Sequence, residues 1–476
     1  MASDGERAAF AGARRRAVAL AVAALALGPT VGAASAHRIT VRQFVAPVPL
    51  PLVFAGAAAT VGLTALWLGV ADRVPVDADS RPVARVPAAA VRPVALALRA
   101  GVLALFLAAL AHGLVGRRVP AENLATLVVW PLVLTGVGLV SVAVGSPWRL
   151  VSPWETLYDG LVALEGREIA VLGAYPGRLR AWPAFAGFVL GVGVLENLTV
   201  ATRSPRATVV VAGGYAAVML VGATAYGREW FARADALAVL FALLGRVAPV
   251  SVRRTDGGDA VVAVRAPWAA VTRPLTDASL VAFVVAAVYT VSFDGFTSTR
   301  TYRAVIGSAR ATLGLGAASV ALYAAGLLAF LAGFALTAAL AERLGSESDA
   351  AGRWTGAARS FGATVVPIAA GYEVAHNYPY VSANLGAAVA VARDLALGTD
   401  GGPIRLLAGL SIGLFWGSQV VLVVAGHVVA VVAAHRVAVR RYGAGPTGLR
   451  GHAPFVLVMV GYTVLSLWIV SQPLAG

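Results

Sequence analysis

The chain has 476 residues, of which 59% are hydrophobic and 13% charged, and its mean hydropathy is +0.79. A soluble chain carries about 25% charged residues, so this apolar excess excludes a soluble globular domain and fits a bilayer, which solvates apolar side chains on the outside of a protein. Cysteine is absent, which excludes disulfides, thiolate metal sites, iron–sulfur clusters and cysteine nucleophiles; the net charge of +15 comes entirely from arginine, scattered in short groups with no basic stripe, so nucleic acid is not an expected partner.

The N-terminus reads as an export signal. Arg14, Arg15 and Arg16 open it, residues 17–28 are an apolar run, and Ala34-Ser35-Ala36 offers a small-residue cleavage site. Residues 1–36 are therefore expected to be a signal peptide or signal anchor, and 37–476 a single transmembrane domain. Cleavage would leave His37 at the mature N-terminus.

Apolar runs long enough to cross roughly 30 Å of hydrocarbon follow. They lie near 49–70, 93–116, 123–145, 182–200, 207–226, 275–293, 311–340, 358–376, 404–434 and 453–471. Their length and weak period-2 alternation rule out barrel strands. The expected fold is all-α, a polytopic transmembrane helix bundle of about ten spanning helices. Threading the spans with His37 outside places most loop arginines inside, as the positive-inside rule requires. Both mature termini are then extracytoplasmic, in a multi-pass protein of the cell membrane.

Two of the inner loops carry apolar stretches too short to span, at 153–165 and 230–247, which predict interfacial or re-entrant helices. Trp148, Trp154, Trp182, Trp230 and Trp268 lie near predicted boundaries, where indole rings anchor at headgroup level. The eighth run holds Pro367 and is followed by His376-Asn377-Tyr378-Pro379, which predicts a broken helix with a re-entrant return. The segment 255–267 reads as loop.

Ionisable groups in hydrocarbon cost several kcal/mol and mark candidate sites. On this threading His37, His112, Glu196, Asp294, Glu373 and His376 share the outer side, though they come from different spans. Glu373 and His376 are three apart and face the same way; Glu-x-x-His is also a spacing of carboxylate-bridged metal sites in bundles. Imidazole with carboxylates suits a divalent metal such as copper or zinc, or a proton. The bland alternative is that helix ends are polar because they meet water. On the ninth run Gln419, His427 and His435 recur every eight residues along one stripe, a candidate inner relay or, equally, a set of interhelical hydrogen bonds. No Gly-x-Ser-x-Gly elbow, Walker loop or His-Glu-x-x-His motif is present.

Several stretches, in order along the chain, resemble a family of prokaryotic integral membrane proteins of actinobacteria and haloarchaea, some of whose members are labelled fenitrothion hydrolase. They are Asn123-Leu124-Ala125, the run Pro147-Trp148-Arg149-Leu150-Val151-Ser152-Pro153-Trp154, Leu195-Glu196, Gly227-Arg228-Glu229, Leu244-Gly245-Arg246, Ser292-Phe293-Asp294-Gly295, Ala375-His376 and Gly426-His427-Val428. The resemblance implies weight on Glu196, Asp294, His376 and His427. The sequence departs from the family pattern at Glu373, where a small residue is usual. Together these readings predict a transporter-like protein that binds or moves a metal ion or small solute at an outward-facing histidine–carboxylate site. The alternatives are a membrane-embedded metal-dependent hydrolase and a non-catalytic assembly protein.

Overall fold

The computed structural model describes residues 49–70, 80–346, 354–399, 402 and 404–471; the expected signal segment and His37 lie outside them. The first span is α1 (Leu50–Val70). Strand β1 (Arg81–Val86) leads into α2 (Ala88–Val115). The third span, α3 (Leu124–Val144), is wound as a π-helix over Val128–Gly136, where Pro131 removes a backbone donor. Two short helices, α4 (Trp148–Val151) and α5 (Pro153–Glu165), precede α6 (Trp182–Glu196), whose second half, Val189–Glu196, is again a π-helix. Span α7 (Pro205–Tyr226) is followed by α8 (Glu229–Ala234) and α9 (Ala236–Leu244).

Strands β2 (Val250–Arg254) and β3 (Ala260–Val264) come next, then α10 (Ala278–Thr297), α11 (Arg300–Leu313) and α12 (Leu315–Gly345). The chain closes with α13 (Trp354–Gly362), α14 (Val366–Leu397), α15 (Ile412–Tyr442) and α16 (Pro446–Ser471). The fold is an all-α polytopic bundle. Among the described residues eight helices are long and apolar enough to cross a membrane. Of the ten expected spans, the two that fall outside this set are α6, which is short, and α14, whose centre is polar. The central helix is α10, with 72% of its apolar window buried; α1, at 11%, is peripheral.

The expected break at His376–Pro379 does not occur. Helix α14 runs unbroken through Pro379, and the interruption falls earlier, at the 3-10 turn Ala363–Val365 just before Pro367. Proline is tolerated at a first turn, whose N–H groups lack partners in any case. Pro379 is buried among neighbouring helices, the setting in which membrane helices absorb an interior proline.

A second departure is the sheet. Residues 250–264, part of which read as loop, form a hairpin that pairs with β1 in the antiparallel order β1-β3-β2. Val264 faces both Arg81 and Val250. Arg85 donates to Asp259 at 2.8 Å, and the Ala88 amide donates to the same carboxylate at 2.9 Å. That amide and the guanidinium hold the Asp259 carboxyl below the usual range. Nearby, Arg265 donates to the Gly245 carbonyl at 2.7 Å, and Arg440 to the Thr272 carbonyl at 2.9 Å. The arginine-rich loops expected to share a side therefore do meet at one end of the bundle.

Trp148 and Trp154 are not interfacial anchors. Both are buried, and both indole N–H groups donate to Asp235, at 3.1 and 2.8 Å. The Tyr215 hydroxyl donates to the other oxygen at 2.8 Å, as do the Leu237 and Ala238 amides that begin α9. An N-cap carboxylate thus binds α4, α5 and α7 to α9.

Glu155 lies on the short α5, outside the spans, 3.7 Å from the Arg149 guanidinium. Burial outweighs that arginine and pushes its carboxyl up to about 7. A raised carboxyl binds a proton in the folded state that the unfolded chain has already released. Its contribution to stability is therefore present below the ordinary carboxylate range and is lost as pH rises toward about 7. Glu155→Gln should flatten the fall in melting temperature between about pH 5 and 7; an unchanged slope would assign that fall to other groups.

Candidate functional site

Four helices bring polar residues to one cavity of about 60 Å³. The π-turn at the end of α6 supplies Glu196 and Asn197, α10 supplies Thr290 and Asp294, and α14 supplies Glu373 and Asn377; α3 adds Thr135. A buried water needs on the order of 10–15 Å³ on the same measure, so the space admits a few waters or a small cation. Glu196 interacts electrostatically with both Asp294 and Glu373. Glu373 hydrogen-bonds Asn377 one turn on.

Asn197 donates through Nδ2 to the Val192 carbonyl at 2.9 Å, one of the carbonyls that the π winding leaves in reach. Its Oδ1 is buried without a hydrogen-bond partner. The cavity therefore offers several acceptor oxygens and carries a carboxylate on each of three walls. Three carboxylates around one volume of low dielectric call for positive charge among them, a proton or a cation.

His376 is not among the residues that line the cavity but lies beside Asp294. Its Nε2 is 3.6 Å from Asp294 Oδ2, and its ring stacks on Tyr372. Glu373 lines the cavity and His376 does not, and each interacts separately with Asp294. Tyr372 interacts with Asp294, Glu373 and Tyr462. Tyr462 donates to the Val288 carbonyl at 2.9 Å, shares a short hydrogen bond with Ser292, and sits 6.1 Å ring to ring from His427. His427 is fully buried, with Nδ1 2.9 Å from the Val423 carbonyl and Nε2 without a partner. Gln419, two turns before it, is buried with Oε1 unpaired. Two turns beyond, His435 lies 5.4 Å ring to ring from His452 of α16.

Of the predicted residues, then, Glu196, Asp294, Glu373 and His376 come together. Gln419 and His427 lie on the adjoining stripe of α15. His112 does not join them: its Nδ1 accepts the Leu124 amide at 3.1 Å, and Asn123 ties the same turn to the His112 carbonyl. It fastens the junction of α2 and α3. His37 lies outside the described residues. Among the described residues no group of three His, Asp or Glu side chains is placed to hold a metal ion. Tyr372, Asn377 and His452 were not singled out from sequence. Asn377 had a visible signal, its i,i+4 relation to Glu373.

Comparison with protein-family models, with curated proteins and with solved structures finds no match.

Proposed function

We infer that the protein binds a small cationic solute or ion within the membrane and is transporter-like. The observation that carries this reading is the convergence of Glu196, Asp294 and Glu373 on one cavity with the unpartnered Asn197 Oδ1. Those groups are all acceptors when ionised, and a cation that donates hydrogen bonds satisfies them together. Tyr372, Tyr462 and His427 follow one another away from the cavity toward the arginine-rich end of α15, without hydrogen bonds between them.

A ligand that binds only the folded protein raises its melting temperature by mass action. Purified protein in lipid nanodiscs should be stabilised by methylammonium. Zinc, copper(II) and sodium serve as the metal arms of the same titration. Glu373→Gln and Glu196→Gln should each weaken methylammonium by about tenfold, the loss of one hydrogen bond to a charged group. An unchanged midpoint in the double variant would overturn the reading. A saturable response to zinc or copper but not to methylammonium would instead favour a metal as cargo.

A further inference from the structure

A second cavity, of about 110 Å³, lies beside the first. Its wall is almost wholly apolar, formed by Val102, Leu105 and Phe106 of α2, Gly187 and Gly191 of α6, and Ala212 of α7, among others. Gly191 leaves the space open: a Cβ added there would meet no atom within 4 Å. Leu105 is 41% exposed on a peripheral span, so the cavity reaches the lipid-facing side of the bundle.

The polar tips nearby are already engaged. The Trp148, Trp154 and Tyr215 groups that border the cavity turn their donors to Asp235. An apolar hole of about 150 Å³ stays dry and takes up a benzene ring; this one suits the end of a hydrocarbon chain.

The two cavities share a wall. Leu134 and Val192 each line both. Leu134 belongs to the π segment Val128–Gly136 and Val192 to the π segment Val189–Glu196. Two aliphatic side chains, both on segments of wide helical winding, are thus shared between an apolar vestibule on the lipid side and the carboxylate cavity. Wide π turns recur at functional sites.

We propose that the ligand is an amphipathic amine, with a protonated amino head among Glu196, Asp294, Glu373 and Asn197 and an alkyl tail in the apolar cavity, reaching both from the bilayer past Leu134 and Val192. This rests on the cation reading above. A primary ammonium fits better than a quaternary one, because Asn197 Oδ1 needs a donor. Charge complementarity fixes the head, and the wall that the two cavities share at Leu134 and Val192 places the tail beside it.

The test uses the full chain in lipid nanodiscs with dodecylamine carrying a diazirine at the tail end, and the matching alcohol as neutral control. Photolabelling is expected to concentrate on residues 102–106 and 128–133. Excess unlabelled dodecylamine should suppress it, and Glu373→Gln should lower the apparent affinity by about tenfold. The alcohol should not label these segments saturably. Gly191→Leu, which fills the apolar cavity, should abolish the focused labelling while methylammonium still stabilises the protein. If Gly191→Leu does not fold, Ala212→Leu takes its place. Equal, saturable labelling by the alcohol, or labelling indifferent to Glu373→Gln, would overturn the proposal and make the apolar cavity a seat for lipid chains. In that event a surviving methylammonium response leaves the cation reading intact; loss of that response as well would defeat both.

Discussion

Asp235→Ala is expected to destabilise the protein by about 3–5 kcal/mol, the range for removing one partner of a buried charged network. The carboxylate accepts from two indoles, one phenol and two backbone amides, and alanine leaves all five donors without it. Asp235→Asn should be nearly as costly. Its amide can still receive one set of donors on oxygen, but its NH₂ then faces donors on the other side. Glutamate does not rescue, because the N-cap geometry needs the carboxylate directly on Cβ, and glutamate sets it one carbon further out. Unfolding followed by tryptophan fluorescence in mixed micelles checks this. A loss under about 1 kcal/mol would show that the indoles find other acceptors.

Gly426→Leu is expected to be comparably severe. Helices α14 and α15 cross with Gly371 and Gly426 in contact. A Cβ at Gly426 would come 2.5 Å from the Pro367 carbonyl oxygen and 3.2 Å from the Gly371 Cα. Backbone cannot step aside as a flexible side chain can, so the helices must separate, as at small-residue crossings in membranes generally. Gly426→Ala should cost about 1–3 kcal/mol and Gly426→Leu more. Gly213→Ala, whose new Cβ meets nothing within 4 Å, is the control and should be neutral or slightly stabilising. Because Glu373 and His427 lie next to this crossing along their helices, Gly426→Ala should also weaken methylammonium binding. Thermal melting of detergent-purified variants, with and without methylammonium, reads both effects.

The spans were legible because continuous apolar runs of bilayer length have few other uses. The site was legible in part because carboxylates such as Glu196 and Asp294 are too costly in hydrocarbon to be incidental. The pairing of arginine-rich loops at one end followed from the same threading. What failed to show in the sequence depended on contacts between distant segments. Asp235 is a lone acid inside the 230–247 apolar stretch, and its role shows only when Trp148 and Trp154 are brought to it. Pro379 reads as a helix breaker until the burial around α14 is known. His112 resembles a site histidine, and only its hydrogen bond to Leu124 gives it a local task. The apolar cavity is invisible in one dimension, because part of what opens it is the absence of side chains at Gly187 and Gly191.

The three-stranded sheet has a consequence for biogenesis. Among the described residues β1 pairs with β3 alone, and Arg85 and Asp259 are 174 positions apart. At synthesis rates of about 5–20 residues per second, β1 emerges roughly 10–35 seconds before its partner exists. Throughout that interval β1 lacks the strand it pairs with in the finished fold. Closure of the strand by β3 is thus a late clasp on helices synthesised earlier, and truncated chains ending before Ala260 should leave the ribosome with that clasp undone.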